Sequence, residues 1–470
     1  MIAGAGVSAS IDPTIDDRSN FDVAVLGAGM SGLAAAIGAA AKGADVVLLE
    51  KLPEVGGSMR LSGGLIWTVP SLELYRKIMP LGSADVAHVV VEDFEEIIDW
   101  GREIGLRLGS RVSSLALLAG GAGVGYRIEP DAVEGGVKPL LSAVRAARVN
   151  LRLANSARAL VFDRQGRIAG VHVRAEGFER DIAARAVVVA TGGFQGDRAL
   201  TGQWLGPWVD RCVIRSNPGS TGDGLRMAMN AGAAASAGLH GFYGHLMPAR
   251  ARIAPADFRS LSQFYSVHAV LLNMEGRRFI DESRGDEFSN QALSRQTEAT
   301  GFLVFDDATH REHVARPHAG EAHVDDPVEL VRRAGGISLR ADSISELVGL
   351  MTPFGIPCRP AVQTITEFDE AIRDGRTSDL PIPRLGNLHR LRRPQVHAIM
   401  VVPGITFTHG GVRVTHEMAA LDRDGAPIPG LYVAGVDAGG ITNEGYVGGL
   451  SVALATGKIA GEQAATFAQH

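Results

Sequence analysis

The sequence predicts an α/β fold, a Rossmann-like parallel sheet built from two separated stretches of chain with an α+β unit inserted between them. Three segments carry that prediction. Residues 21–64 (FDVAVLGAGMSGLAAAIGAAAKGADVVLLEKLPEVGGSMRLSGG) read as a strand, a glycine turn, an Ala-rich helix and a second strand. Ala186–Phe194 (AVVVATGGF) and Gly430–Gly440 (GLYVAGVDAGG) are further apolar runs ending in glycines, the latter near the C-terminus. Short apolar runs of this kind suit parallel strands covered on both faces.

In the first segment Val23 to Leu26 lead into Gly27, Gly29 and Gly32, a G-x-G-x-x-G pattern. Gly27 permits a tight turn, Gly29 lets the backbone approach a pyrophosphate at the positive end of the helix, and Gly32 allows close helix–strand packing. The second strand, Asp45–Leu49, ends in Glu50, whose carboxylate can accept hydrogen bonds from ribose hydroxyls. With Ser31 in the first helical turn, this is a dinucleotide site. The residues after Glu50 separate NAD from FAD. Lys51, Gly56-Gly57-Ser58-Met59 and Ser62-Gly63-Gly64 form a second Gly/Ser-rich turn that a nicotinamide dehydrogenase does not need there. A ribityl chain and isoalloxazine do need backbone amides and small side chains beyond the pyrophosphate. Together with the two later strands, the pattern looks like the two-part flavin fold of the glutathione reductase type. The expected cofactor is non-covalent FAD. Further expected contacts are Ala157, Thr191, Gly192 and Asp223, with Asp437, Ser451 and Val452 from the C-terminal part.

Composition narrows the function. At 470 residues and 46% hydrophobic, the chain can bury enough core for more than one domain. A net charge of −6 gives no reason to expect nucleic acid or an anionic membrane as partner. The apolar stretches are short and broken by glycine, so no membrane span is expected. Residues 1–20 hold Asp12, Asp16 and Asp17 without a long apolar run, which reads as a disordered leader rather than a signal peptide, and a cytoplasmic location is expected. Cys212 and Cys358 stand alone, so disulfide-reductase chemistry, an iron–sulfur cluster and a thiolate zinc site are not expected, and no metal site is predicted.

Along the chain, the flavin features fall in 21–238 and 401–470, and 239–400 reads as a capping, substrate-binding domain. Leu160–Val173 has a hairpin pattern with its turn at Gln165-Gly166. Asn217–Gly224 (NPGSTGDG) is a polar glycine loop opening a helix over Leu225–Ala235. Near the end, Gly448-Gly449 and an apolar helical run place a helix N-terminus at about Ser451. Its dipole, aimed at the flavin N1–C2=O edge, would stabilise the anion of the reduced flavin.

These motifs resemble the fumarate reductase/succinate dehydrogenase flavoprotein superfamily over nearly the whole length: EKLPEVGGS, ATGGF, TGDG at 221–224, GRRFIDE at 276–282, THGGVRV at 408–414 and IPGLYVAG at 428–435. The resemblance implies a bipartite FAD domain, a cap that closes over substrate, and hydride transfer between flavin and a carbon of an activated C–C or C=C bond. The departures are informative. Where the dicarboxylate reductases carry the arginine of N-R-L-G-G-N that clamps a substrate carboxylate, this chain has Tyr446; where they have a histidine before T-x-G-G, it has Thr406. Their catalytic-acid arginine aligns nearest Asp286, with Arg284 two residues away, while the cap histidine is retained as His245. A bidentate clamp needs arginine, so its loss argues against a small dicarboxylate.

Tyr446 and the LSGGLIWTVP segment (61–70) are instead similar to the 3-ketosteroid Δ1-dehydrogenases, in which a tyrosine and a nearby backbone N–H hold the substrate ketone. Here the N–H would come from Gly449 or Leu450. The second tyrosine of that branch is absent near GRRF, where Asp286 and Phe288 stand, so the α-proton acceptor is open among Tyr126, Tyr243 and Asp286. Arg284 could pair with a distal carboxylate, and Asp437 could replace the Glu or Asn that usually binds ribityl hydroxyls where this chain has Val436. The expectation is an FAD-dependent desaturase that removes two hydrogens next to a ketone, cyclic in the substrate's skeleton, passing electrons to an unidentified acceptor. The rival is a reductase of an activated C=C bond, and a non-catalytic flavin-binding protein is a third class.

Overall fold

Residues 23–26 and 46–49 contain no polar side chain, and in the folded chain each is at most 2% exposed. They lie at the centre of a mostly parallel sheet whose two faces are covered. A computed structural model describes residues 19–118, 121–129, 133–316, 325–391 and 395–470. The expected leader lies outside the described residues up to residue 18, and Asn20 already belongs to the first strand, Asn20–Leu26.

The large sheet runs in the order Ala419–Leu421, Pro427–Val433, Phe178–Val189, Asn20–Leu26, Val46–Leu49, Asn150–Arg152. Leu26 pairs in parallel with both Leu49 and Val189, and Val189 pairs with Val433, so four strand ends come level along one edge. In open α/β sheets such carboxyl ends border the ligand crevice. The expected hairpin forms as Asn155–Phe162 against Ile168–Ala175, joined antiparallel to Phe178–Val189. The nucleotide helix, Met30–Ala41, and the C-terminal helix, Gly449–Ala468, cross in close contact. A Cβ at Gly457 or Gly461 would come within 2.4 Å of the Ser31 carbonyl oxygen or 2.0 Å of that of Ala35. Only glycine allows this approach.

A second sheet is organised around Val396–Ile405, which pairs with Val213–Ile214, Leu246–Pro248, Gly301–Asp306 and Ser338–Ala341. One apolar core draws on residues from 21 to 242 and from 405 to 468, and two further cores draw on residues between 246 and 401. The expected division after residue 400 therefore falls inside a strand. The helix expected over Leu225–Ala235 runs Asp223–Asn230, and the last helix starts at Gly449, two residues before Ser451. Among the described residues, no helix is long and apolar enough to cross a membrane.

Candidate active site

The turn from the first strand into the nucleotide helix shows why glycines stand there. Gly27 has φ +99°, and a Cβ on it would lie 2.4 Å from the Ala190 carbonyl oxygen; a Cβ on Gly32 would lie 1.7 Å from that of Gly27. A Cβ on Gly29 would meet nothing within 4 Å, because it would project into a cavity of about 780 Å³. The nucleotide helix has neither a side-chain N-cap nor an acidic residue in its first turn, and the same holds for the C-terminal helix. Residues at both N-termini, Gly29 to Ser31 and Gly449-Leu450, line this cavity. Helix-start N–H groups and two positive dipole ends suit a pyrophosphate and a reduced flavin.

Glu50 is 8% exposed; its carboxylate accepts from Ala28 N–H at 2.8 Å and Leu52 N–H at 2.9 Å, and it lines the cavity with lone pairs to spare. Lys51 donates to Thr221 Oγ1 and Asp223 Oδ2, each at 2.6 Å, tying the second glycine turn to the TGDG loop. Ser58, Met59, Gly63, Ala157, Thr191, Gly192 and Asp223 also line the cavity. Gln195 presents a buried Oε1 without a partner among the described residues, an acceptor left for a ligand donor. These features fit FAD.

Five expected cofactor residues are placed differently. Gly32 and Gly64 do not line the cavity: Gly32 is a packing glycine, and the Gly64 carbonyl accepts from Ile128 N–H at 2.7 Å. Asp437 turns away, its Oδ2 accepting from Thr191 N–H at 2.5 Å and Gly192 N–H at 3.0 Å, so it shapes the flavin-side turn while Gly435 and Val436 form the wall. Burial pushes its carboxyl up to about 7. Ser451 donates to the Trp67 carbonyl at 2.6 Å and fastens the helix start to the Leu65–Thr68 strand, and Val452 is buried in the core.

The second group of lining residues comes from the other side. Tyr243 follows Phe242 in a two-residue strand paired with Phe407-Thr408, and its ring stacks on Tyr446 with 3.8 Å between centres. The Tyr446 oxygen accepts from Gly449 N–H at 2.9 Å, which leaves its own O–H to donate. Tyr243 Oη and His245 Nε2 are 2.9 Å apart, and His245 Nδ1 is hydrogen-bonded to Asp286 Oδ2. Asp286 opens the helix Asp286–Ser294 just after Gly285, whose φ of +142° turns the chain inward. The preceding loop is clamped by fully buried Glu282, which binds Arg278 and Arg384 at 2.7 Å each. The GRRFIDE motif thus holds the loop carrying Asp286.

Electrostatics sets the protonation of this chain. Burial, aided by the Arg215 charge, lowers His245 to about 3, so the imidazole is neutral at pH 7. Burial raises Asp286 to about 6, partly offset by hydrogen bonding to Glu287 and by Arg215. Burial and the neighbouring Asp286 push Glu287 well above the usual carboxylate range. Burial also raises both phenols, Tyr243 strongly. At neutral pH the connected set is phenol, neutral imidazole and carboxylate.

Tyr446, Tyr243, Asp286, His245, Gly449 and Leu450 therefore meet at one cavity. Two expected residues do not. Tyr126 is hydrogen-bonded to Glu95 at 2.8 Å, packs beside Phe94 and does not line the cavity. Arg284 is exposed, lies over Phe288 and is likewise absent from the lining. Sequence reasoning missed Arg215 and Glu287, which line the cavity. The sequence signal for Arg215 was a lone charge closing the apolar run CVI before the glycine loop; Glu287 reads as an ordinary first-turn acid. It also missed a histidine cluster, His268, His313 and His389, whose ligand atoms lie within 4.8 Å of one another.

The FAD binding domain family matches residues 22–451, and the chain belongs to it. Among characterised relatives, the fumarate reductase (cytochrome) of Shewanella frigidimarina is 27% identical, across 95% of this chain and 77% of that protein. The 4-oxocyclohexanecarboxylate 2-dehydrogenase of Sinomonas cyclohexanicum is 26% identical, across 93% and 90%. The solved 3-ketosteroid-Δ4-(5α)-dehydrogenase from Rhodococcus jostii RHA1, in complex with 4-androstene-3,17-dione, superposes with a TM-score of 0.75 over 96% of this chain and 98% of that one at 22% identity, which shows a shared fold. The cofactor is FAD, and the protein is a flavin-dependent oxidoreductase of the fumarate reductase superfamily. Glu50→Ala is expected to weaken FAD binding at least about tenfold, since a hydrogen bond to a charged group contributes about 1.5–3 kcal/mol. Equilibrium dialysis of the apoprotein with FAD measures it; an unchanged Kd would remove Glu50 from the site.

Proposed function

We propose that the protein desaturates a ketone, cyclic in its skeleton, at the α,β C–C bond, with residues 246–401 as the capping unit. The observation that carries this reading is the Tyr446–Tyr243 stack, which sets a carbonyl donor beside a proton path. Tyr446 and Leu450 line the cavity, and the Tyr446 O–H with the Leu450 N–H would polarise C=O, which acidifies the α C–H. Tyr243 oxygen takes the α-proton as its own proton passes to His245 Nε2 and the Nδ1 proton passes to the Asp286 carboxylate. FAD held by the nucleotide turn and Glu50 would supply the two-electron acceptor for the β-hydride, and the electrons would leave to an external acceptor. Phe264, Phe407 and Trp67 line the same space and keep it apolar, which favours a ring over an open dicarboxylate. The names of the Sinomonas and Rhodococcus relatives, both dehydrogenases of cyclic ketones, support this choice.

The fumarate reductase relative supports a second reading, reduction of an activated C=C bond by the same residues in reverse. Tyr446 in place of the clamping arginine weighs against it for dicarboxylates. Anaerobic mixing of oxidised enzyme with cyclic ketones and with succinate separates the two, alongside fumarate reduction driven by a viologen donor. Flavin bleaching by ketones with poor turnover of succinate and fumarate is expected. Efficient fumarate reduction with no ketone bleaching would replace the first reading with the second.

A further inference from the structure

We infer that Arg215 forms an anion subsite inside the cavity, so that the molecule taken there carries a carboxylate as well as the carbonyl; the second half rests on the ketone reading above. Arg215 follows the strand Val213–Ile214 and is 8% exposed, yet it lines the cavity. Its Nη1 donates to Thr406 Oγ1 at 2.8 Å and its Nη2 to the Phe258 carbonyl at 3.0 Å, both neutral partners. The buried Nε–H has no acceptor, and no carboxylate lies within ion-pair distance, among the described residues. Arg278 and Arg384 are anchored differently, since both grip Glu282.

A buried cation without a paired anion is costly, on the order of several kcal/mol, and a ligand carboxylate facing the guanidinium fork offsets that cost. Burial lowers the Arg215 pKa to about 10, so it stays cationic at neutral pH. Asp286 and Tyr243 act on it through space and partly balance the charge, but neither is hydrogen-bonded to it. The location ties this seat to the carbonyl donors. Thr406 N–H donates to the Tyr243 carbonyl at 2.8 Å, and the adjacent Phe407 ring lies 5.2 Å from Tyr243 and 5.8 Å from Tyr446, centre to centre. Arg215, Thr406, Tyr243 and Tyr446 are thus linked by successive contacts and line the same cavity. Thr406, which stands where the dicarboxylate reductases have a histidine, orients the guanidinium.

The test uses FAD-loaded protein and two unreactive probes, cyclohexanecarboxylate and its neutral isostere cyclohexanecarboxamide, titrated by calorimetry. The wild type is expected to bind the carboxylate at least about tenfold more tightly than the amide. Arg215→Gln should lose at least about tenfold for the carboxylate relative to the amide, and Arg215→Lys should fall between. Equal affinity for both probes in the wild type, or a carboxylate preference that survives in Arg215→Gln, overturns the proposal. Release of FAD from Arg215→Gln with no probe discrimination in the wild type would assign the guanidinium to the cofactor and overturn it too. Should the variant fail to fold, the wild-type comparison still decides. Anaerobic mixing with 4-oxocyclohexanecarboxylate and its carboxamide then separates the two readings: probe discrimination without bleaching by any ketone keeps the subsite and discards the desaturase.

Discussion

Tyr446→Phe is expected to slow single-turnover flavin reduction by a ketone about a hundred- to a thousandfold, while the protein stays yellow. Removing one preorganised oxyanion donor costs about 2.7–4 kcal/mol in the transition state. The ring remains to stack on Tyr243 and to meet the edge of Trp67, whose centre is 5.2 Å away, so packing is kept. The lost oxygen also frees Gly449 N–H, its present donor, which can then turn toward the substrate and recover part of the effect. The measurement is stopped-flow bleaching with a ketone that reduces the wild type. A change under about threefold, or about 0.65 kcal/mol, would make Tyr446 a packing residue and remove the main support for ketone chemistry.

Tyr243→Phe should be comparably severe for a different reason. It cuts the path to His245 and Asp286, and positioned proton transfer contributes about 10²–10⁴ in rate. The pH profile separates this from a packing defect. On the proposed path the terminal acceptor is the Asp286 carboxylate, raised by burial from the usual aspartate range to about 6. Above about pH 6 it is ionised and able to receive the proton; as pH falls through that value it becomes protonated and the single-turnover rate should drop. His245, lowered to about 3, stays neutral across that range and adds no step of its own. Asp286→Asn should abolish the step near pH 6, and the residual rate of Tyr243→Phe should not follow it. A wild-type profile flat from about pH 5 to 8 would exclude Asp286 as the terminal acceptor.

The nucleotide half was legible because its demands are local. Gly27, Gly29 and Glu50 are required by a turn, a close approach and a strand end, all within one contiguous segment. In the C-terminal half the right elements were found but the facing was not. Asp437, Ser451 and Val452 lie where expected along the chain, yet their side chains point to Thr191, Trp67 and the core, and only the three-dimensional packing decides which side of a turn or helix meets the cavity. Tyr126 failed on the same ground, since the face of its strand turns to Glu95. Arg284 and Arg215 were exchanged for a simpler reason: spacing from a motif favoured the first, whereas burial singles out the second. The Tyr243–His245–Asp286 path brings together residues far apart in the chain, and no periodicity records such a meeting.

The glycine-lined crossing of the first and last helices bears on how the protein is made. The nucleotide helix is synthesised long before the face it needs, Gly457 to Gly461, and before the strand Pro427–Val433 that flanks Phe178–Val189. Domains tend to fold as units during synthesis. Here the contiguous stretch 246–401 can collapse while the flavin-binding half still waits for the residues that close its sheet. A nascent chain arrested before Pro427 would therefore hold an incomplete sheet with an exposed apolar helix, a natural client for chaperones, and the flavin-binding half can close only after those later residues have been made.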